Sequence, residues 1–65
     1  MQLEDVKRNL NRIVVYKDIP DTYRLTACIL RRDEKSLFYQ AELQDVKAKN
    51  SVLICRLEDI EEAQS

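Results

Sequence analysis

Two cysteines, three serines and a run of acids near the end are the residues of this 65-residue chain whose types most often carry chemistry. There is no histidine, which removes imidazole acid–base catalysis and the commonest neutral metal ligand. Cys28 and Cys55 sit inside the apolar runs "ACIL" and "VLIC", without the CxxC spacing of a zinc or redox site. They read as reduced, mostly buried thiols acting as small hydrophobes. Ser36, Ser51 and Ser65 have no base beside them, and with no glycine in the chain there is no glycine-rich loop to cradle phosphate. The acid pairs Glu58-Asp59 and Glu61-Glu62 have the chemistry to bind a cation, but such runs are ordinarily solvated surface. A domain this small also offers little concavity for a substrate. The expectation is therefore no enzyme, no cofactor, no metal and no small-molecule substrate.

Length and charge narrow the field further. Residues 1–65 make one small domain, and a chain this short buries only about 60% of its unfolded surface, so most apolar residues must be used. At 45% hydrophobic and 35% charged the composition is globular. Eleven Lys and Arg oppose twelve Asp and Glu, for a net charge of -1. That disfavours a phosphate-binding surface, and the basic pairs Lys7-Arg8 and Arg31-Arg32 each have acids close by in sequence, Glu4-Asp5 and Asp33-Glu34. The start "MQLEDVKRNL" carries acids where a signal peptide has positive charge, and no apolar run exceeds four residues. No membrane segment is expected, and a cytoplasmic location is.

The elements that would position these residues can be read from the hydrophobic period. Leu3, Val6 and Leu10 form one stripe of a short helix over residues 3–10, with acids in its first turn and bases later. Asn9 and Asn11 are suited to end it. "RIVVYK" then favours a strand over residues 12–17. "IPDT" reads as a type I turn with Pro20 at its second position. Tyr23, Leu25, Ala27 and Ile29 alternate against Arg24, Thr26 and Cys28 in a second strand, residues 23–32.

The stretch "SLFYQAELQDV" admits two readings. Ser36 is a possible helix N-cap, and Tyr39, Leu43 and Val46 have helical spacing. Yet Leu37, Tyr39, Ala41 and Leu43 alternate with Gln40, Glu42 and Gln44, and a hairpin pairing Arg31 with Leu37 satisfies both faces at once. In that register Ile29 faces Tyr39, Ala27 faces Ala41 and Leu25 faces Leu43, while Arg24 faces Gln44, Thr26 faces Glu42 and Leu30 faces Phe38. The spacing thus predicts a strand over residues 37–45. A last strand, residues 51–56, is apolar on both faces, and its core side is left open between Val52/Ile54 and Leu53/Cys55. "LEDIEE" predicts a helical turn over residues 57–62. The tetrads "LEDV", "LQDV" and "LEDI" recur at unequal spacings, so they are not taken as a repeat. Without glycine, two-residue type I′ hairpins are disfavoured. Asp33 and Asn50 are the candidates for a left-handed backbone.

The fold class expected is α+β, mainly β: a short N-terminal helix, a four-stranded antiparallel and strongly bent sheet, and a C-terminal helical turn. The order "IVVYKD", "YRLTACILRR", "LFYQAELQD", "SVLICR", "LEDI", covering residues 13 to 60, resembles an SH3-like small barrel of the Tudor sort, and the leading helix is more like Sm-type barrels. The chain departs from that pattern in having no glycine and little length after Ile60 for a fifth strand. The Tudor resemblance implies an aromatic cage for methylated side chains, for which Tyr16, Tyr23, Phe38 and Tyr39 are the only aromatics. As ordinary residues of a sheet they are core and cross-strand packing groups.

Two functions remain. The first is a non-enzymatic protein-interaction or self-associating module, with a protein partner or a homodimer, using an outer-face patch of Cys28, Leu30, Arg31, Arg32 and Phe38. The second is a nucleic-acid-binding small barrel using Arg31, Arg32, Lys35, Lys47 and Lys49, which the net charge disfavours.

Overall fold

The computed structural model describes residues 1–17 and 19–63. A 3-10 turn, Leu3–Asp5, runs into one turn of helix α1, Val6–Asn9. Five strands follow: β1 Ile13–Tyr16, β2 Ile19–Arg32, β3 Leu37–Asp45, β4 Val52–Arg56 and β5 Ile60–Glu62, with a second 3-10 turn, Leu57–Asp59, between the last two. They form one antiparallel sheet in the order β4-β3-β2-β1-β5. Mainly β is therefore correct, and residues 37–45 are a strand with the bounds expected.

The strand count is not. Residues 60–62 pair with β1, Val14 opposite Glu62 and Tyr16 opposite Ile60, so the expected terminal helical turn is only Leu57–Asp59. Three residues suffice because Ile60 is fully buried and anchors the strand. The "IPDT" turn is also corrected: β2 begins at Ile19, opposite Tyr16. The β1–β2 register shifts between Val14 and Tyr16, the kind of irregularity where strands tolerate proline. Among the described residues the left-handed one is Asn11, φ 65°, not Asp33 or Asn50. Asparagine accepts that conformation, and there the chain turns from α1 into β1, with the Asn11 N–H donating to the Leu25 carbonyl at 2.7 Å.

β2 and β3 form the long hairpin that dominates the molecule. Arg24 faces Gln44 and Leu25 faces Leu43 as the alternation requires, but a bulge at Thr26 then shifts the register by one. Beyond it Ala27 faces Glu42, Cys28 faces Ala41, Ile29 faces Gln40, Leu30 faces Tyr39, Arg31 faces Phe38 and Arg32 faces Leu37. The expected facing pair Ala27 and Ala41 does not form. A one-residue slip carries every later side chain of β2 to the opposite face.

The core lies on one face, called inner here. Leu25, Leu43, Ile60 and Val14 are its largest fully enclosed side chains, joined by Val6, Tyr23, Ala41, Cys55 and Leu57. The open choice in β4 resolves toward Leu53 and Cys55, which pair with Leu43 and Ala41 and join this face. Of the expected helix stripe only Val6 is buried, because the helix ends after one α-turn and leaves Leu3 and Leu10 outside. Asn9 takes up the remaining contact: its side-chain amide donates to the Asp5 carbonyl at 2.8 Å and to Glu62 Oε1 at 2.9 Å. Arg8 donates to the same Glu62 carboxylate and to Asp5 Oδ1, tying α1 to β5. Two of the three recurring tetrads, "LEDV" and "LEDI", open with 3-10 turns, while "LQDV" begins in β3. No described helix is long and apolar enough to cross a membrane.

Candidate interaction surface

The bulge at Thr26 decides which side chains share a surface. In an antiparallel pair, residues directly opposite project to the same side. Cys28, Leu30 and Arg32 therefore continue the inner face with Ala41, Tyr39 and Leu37, while Ile29 and Arg31 join Gln40 and Phe38 on the outer face. The expected patch of Cys28, Leu30, Arg31, Arg32 and Phe38 is split in two. Leu30 and Phe38 are not partners, because the register that would have faced them is broken four residues earlier.

On the inner face the core stops where the helix and β5 stop. Past Cys28, which is half-buried, Leu30 is 55% exposed, Leu37 61% and Tyr39 36%. These three are neighbours: Leu30 faces Tyr39, and Leu37 is two residues from Tyr39 on the same side. An open groove of about 260 Å³ adjoins Tyr39, with Leu3, Phe38, Arg56 and Leu57 among its other walls. Leu3 is itself exposed, and Tyr39 is the groove wall that also neighbours Leu30 and Leu37.

The hairpin tip carries both signs: Arg31, Arg32 and Lys35 beside Asp33 and Glu34. Asp33 shapes the tip, accepting the amides of Lys35 at 2.8 Å and Ser36 at 2.7 Å, which holds its carboxyl below the usual range. That carboxylate is spent on its own turn.

On the outer face Phe38 lies under the Arg56 guanidinium, 5.9 Å from ring centroid to carbon, a cation–π contact. Gln40 Oε1 is enclosed there without a hydrogen-bond partner among the described residues. Of the four aromatics, Tyr16 and Tyr23 meet, with centroids 6.4 Å apart and planes tilted by 50°. Tyr23 is opposite Asp45, about 20 Å along the strand from Tyr39 at the usual rise per residue. Phe38 and Tyr39 project to opposite faces, so the four rings do not assemble into a cage.

The remaining sequence candidates are also dispersed. Arg31, Arg32 and Lys35 sit at one end of β3, Lys47 and Lys49 in the loop at the other end. Cys28 and Cys55 both face Ala41 from either side, two strand spacings or about 10 Å apart, too far for a disulfide. Burial, with Asp59 nearby, pushes the Cys55 thiol up to about 11. Among the described residues no group of three or more Cys, Asp or Glu is placed to hold a metal. No protein-family model, no curated protein and no solved structure matches the chain.

Proposed function

We propose that this chain is a small non-enzymatic protein-interaction module that self-associates through the inner face of the distal hairpin. The observation that carries this reading is the exposed cluster Leu30, Leu37 and Tyr39, of which Tyr39 lines a groove shared with Leu3. A contiguous apolar surface rimmed by charge more often marks a contact than an ordinary wet face. Covering each such side chain contributes roughly 1.5–3 kcal/mol. A second copy is the first occupant because the tip is self-complementary in charge. Related by a two-fold axis, two tips can set Arg32 of one against Glu34 of the other, as an isologous contact requires.

An SH3-like reading of the fold draws its support from the strand order β4-β3-β2-β1-β5 and from the 3-10 turn between β4 and β5. Against a closed barrel, β4 and β5 make no pair with each other among the described residues. Fold analogy in any case does not carry function across.

Sedimentation velocity on the full chain tests the self-association reading. A dimer that Leu37→Asp converts to monomer supports it; a wild-type chain that stays monomeric at high micromolar concentration overturns it. Nucleic acid is the second reading, favoured by Arg31, Arg32, Lys35, Lys47 and Lys49, which make no ion pair with a described residue, and a steep salt dependence of oligonucleotide binding would favour it over the first.

A further inference from the structure

The two edges of this sheet are protected unequally. β5 is three residues long, and its Glu61 and Glu62 are occupied by Lys17 and Arg8. β4 is five residues long, contains no proline, and on its outer side pairs with nothing among the described residues. The Asp45 amide donates to the Ser51 carbonyl at 3.0 Å, which sets the phase of the β3–β4 ladder. Alternation then directs the backbone groups of Leu53 and Cys55 toward β3, and those of Val52, Ile54 and Arg56 away from it. A bare edge of this kind is a template for another strand.

Side chains at the same three positions select the occupant. Val52 is 55% and Ile54 43% exposed, and both project to the outer face. Cations stand at both ends: Lys47 and Lys49 in the loop that leads into β4, and Arg56 at its close. Lys47 and Lys49 make no ion pair with a described residue, and Arg56 has only Glu58, at 3.6 Å with both side chains exposed. Arg24 and Arg31 add positive charge on the outer face, where Glu42 is engaged by Thr26; Asp45, opposite Tyr23, belongs to the inner side and accepts the amides of Lys47 and Ala48. We infer that the outer edge of β4 takes an extended acidic segment of a partner protein as an added strand, apolar at its centre and carrying carboxylates toward both ends.

A second copy of this chain fits that edge poorly. An antiparallel pairing of two β4 strands centred on Ile54 brings Arg56 of each toward the lysine loop of the other, and like charges there suppress the contact. Nucleic acid fits less well than protein because the exposed side chains between the cations are aliphatic. Phe38, the aromatic of this face, is half-buried under Arg56 and offers no stacking platform. The edge is separate from the Leu30–Leu37–Tyr39 surface, so this inference does not depend on self-association.

The test uses the full chain labelled with nitrogen-15 and three probes. One is a pool of acetylated nine-residue peptides with Asp or Glu toward both ends and Val, Ile or Thr alternating at the centre. The second is the same pool with Lys for the acids, and the third is a single-stranded oligothymidylate. The expected result is that only the acidic pool moves the amide signals of Val52, Ile54 and Arg56 and slows their hydrogen exchange, leaving β5 unchanged. Ile54→Pro removes an outward donor without touching the β3 ladder and abolishes the effect. Lys47→Glu with Lys49→Glu, in an exposed loop, weakens it at least about tenfold by loss and reversal of charge. Leu37→Asp leaves it intact, which separates this surface from the self-association surface. No response to the acidic pool at millimolar concentration, an equal response to the lysine pool, or a response to oligothymidylate alone overturns the inference.

Discussion

Thr26 Oγ1 lies 2.8 Å from Glu42 Oε1 and 3.1 Å from the Glu42 carbonyl oxygen, and this contact sits at the bulge of the long hairpin. The hydroxyl has one proton, so the charged carboxylate is its stronger acceptor. Thr26→Val keeps the shape and removes the donor. We expect a loss of about 1–2 kcal/mol in urea unfolding, the range for hydrogen bonds to neutral and charged groups. A double-mutant cycle with Glu42→Gln should show coupling. Strict additivity would mean that the contact is absent in solution.

Leu43 is fully buried while its neighbour Gln44 projects outward and donates to the Lys49 carbonyl at 3.0 Å. Leu43→Gln should therefore cost on the order of 3 kcal/mol, from lost packing and a buried amide. Gln44→Leu should cost about 1 kcal/mol at most, the worth of one hydrogen bond. Comparable urea midpoints for the two variants would contradict the assigned faces of β3.

The thiols should react in a fixed order. The Cys55 thiol is pushed up to about 11 by burial and by Asp59, whereas Cys28 is half-buried and raised by burial alone. Iodoacetamide near pH 8 should modify Cys28 first and reach Cys55 only as the chain opens, since the thiolate is the nucleophile. Faster labelling of Cys55, or a Cys28–Cys55 bridge in the folded chain, would contradict the placement of Ala41 between them.

Acid should loosen the joint between α1 and β5. The Glu62 carboxyl is held below its usual range by the Asn9 side-chain amide first and Arg8 second. A depressed carboxyl contributes stability above its unfolded-state value, near 4.3, and loses it as pH falls through the lower folded value. Glu62→Gln should thus lower the urea midpoint at pH 7, with a difference from wild type that shrinks toward pH 3. A constant difference across that range would place the effect in packing rather than in charge.

The parts of the fold legible in the sequence were those set by alternation alone. Residues 37 to 45 show a clean period of two, and the strand has those bounds. Leu25 opposite Leu43 and Arg24 opposite Gln44 follow from the same period. The bulge leaves no mark in a hydrophobicity pattern, because Thr26 is compatible with either face, so alternation assigns the β2 residues beyond it to the wrong side while Phe38, Tyr39 and Ala41 of β3 are on the faces expected. β5 was hidden by the acids of "IEE", which read as a solvated turn until Ile60 is seen enclosed by the core. Asn11 reads from the sequence as a helix stop, and nothing there selects it as the left-handed residue over the other asparagines and aspartates. For the surface, Leu30 is exposed but lies on the inner side rather than the outer one expected, and its neighbours Tyr39 and Leu37 depend on a register that only the structure supplies.

Sedimentation equilibrium of the wild-type chain and of Leu37→Asp, at micromolar to near-millimolar concentrations, tests the proposed function most directly. Leu37 is 61% exposed and makes no core contact, so the substitution should leave unfolding by urea within about 0.5 kcal/mol of wild type, as for other surface changes. The account predicts a wild-type mass that rises to that of a dimer with concentration and a variant that stays at the monomer mass throughout. A wild-type chain that remains monomeric over the whole range, or a dimer that Leu37→Asp leaves unchanged, would contradict it.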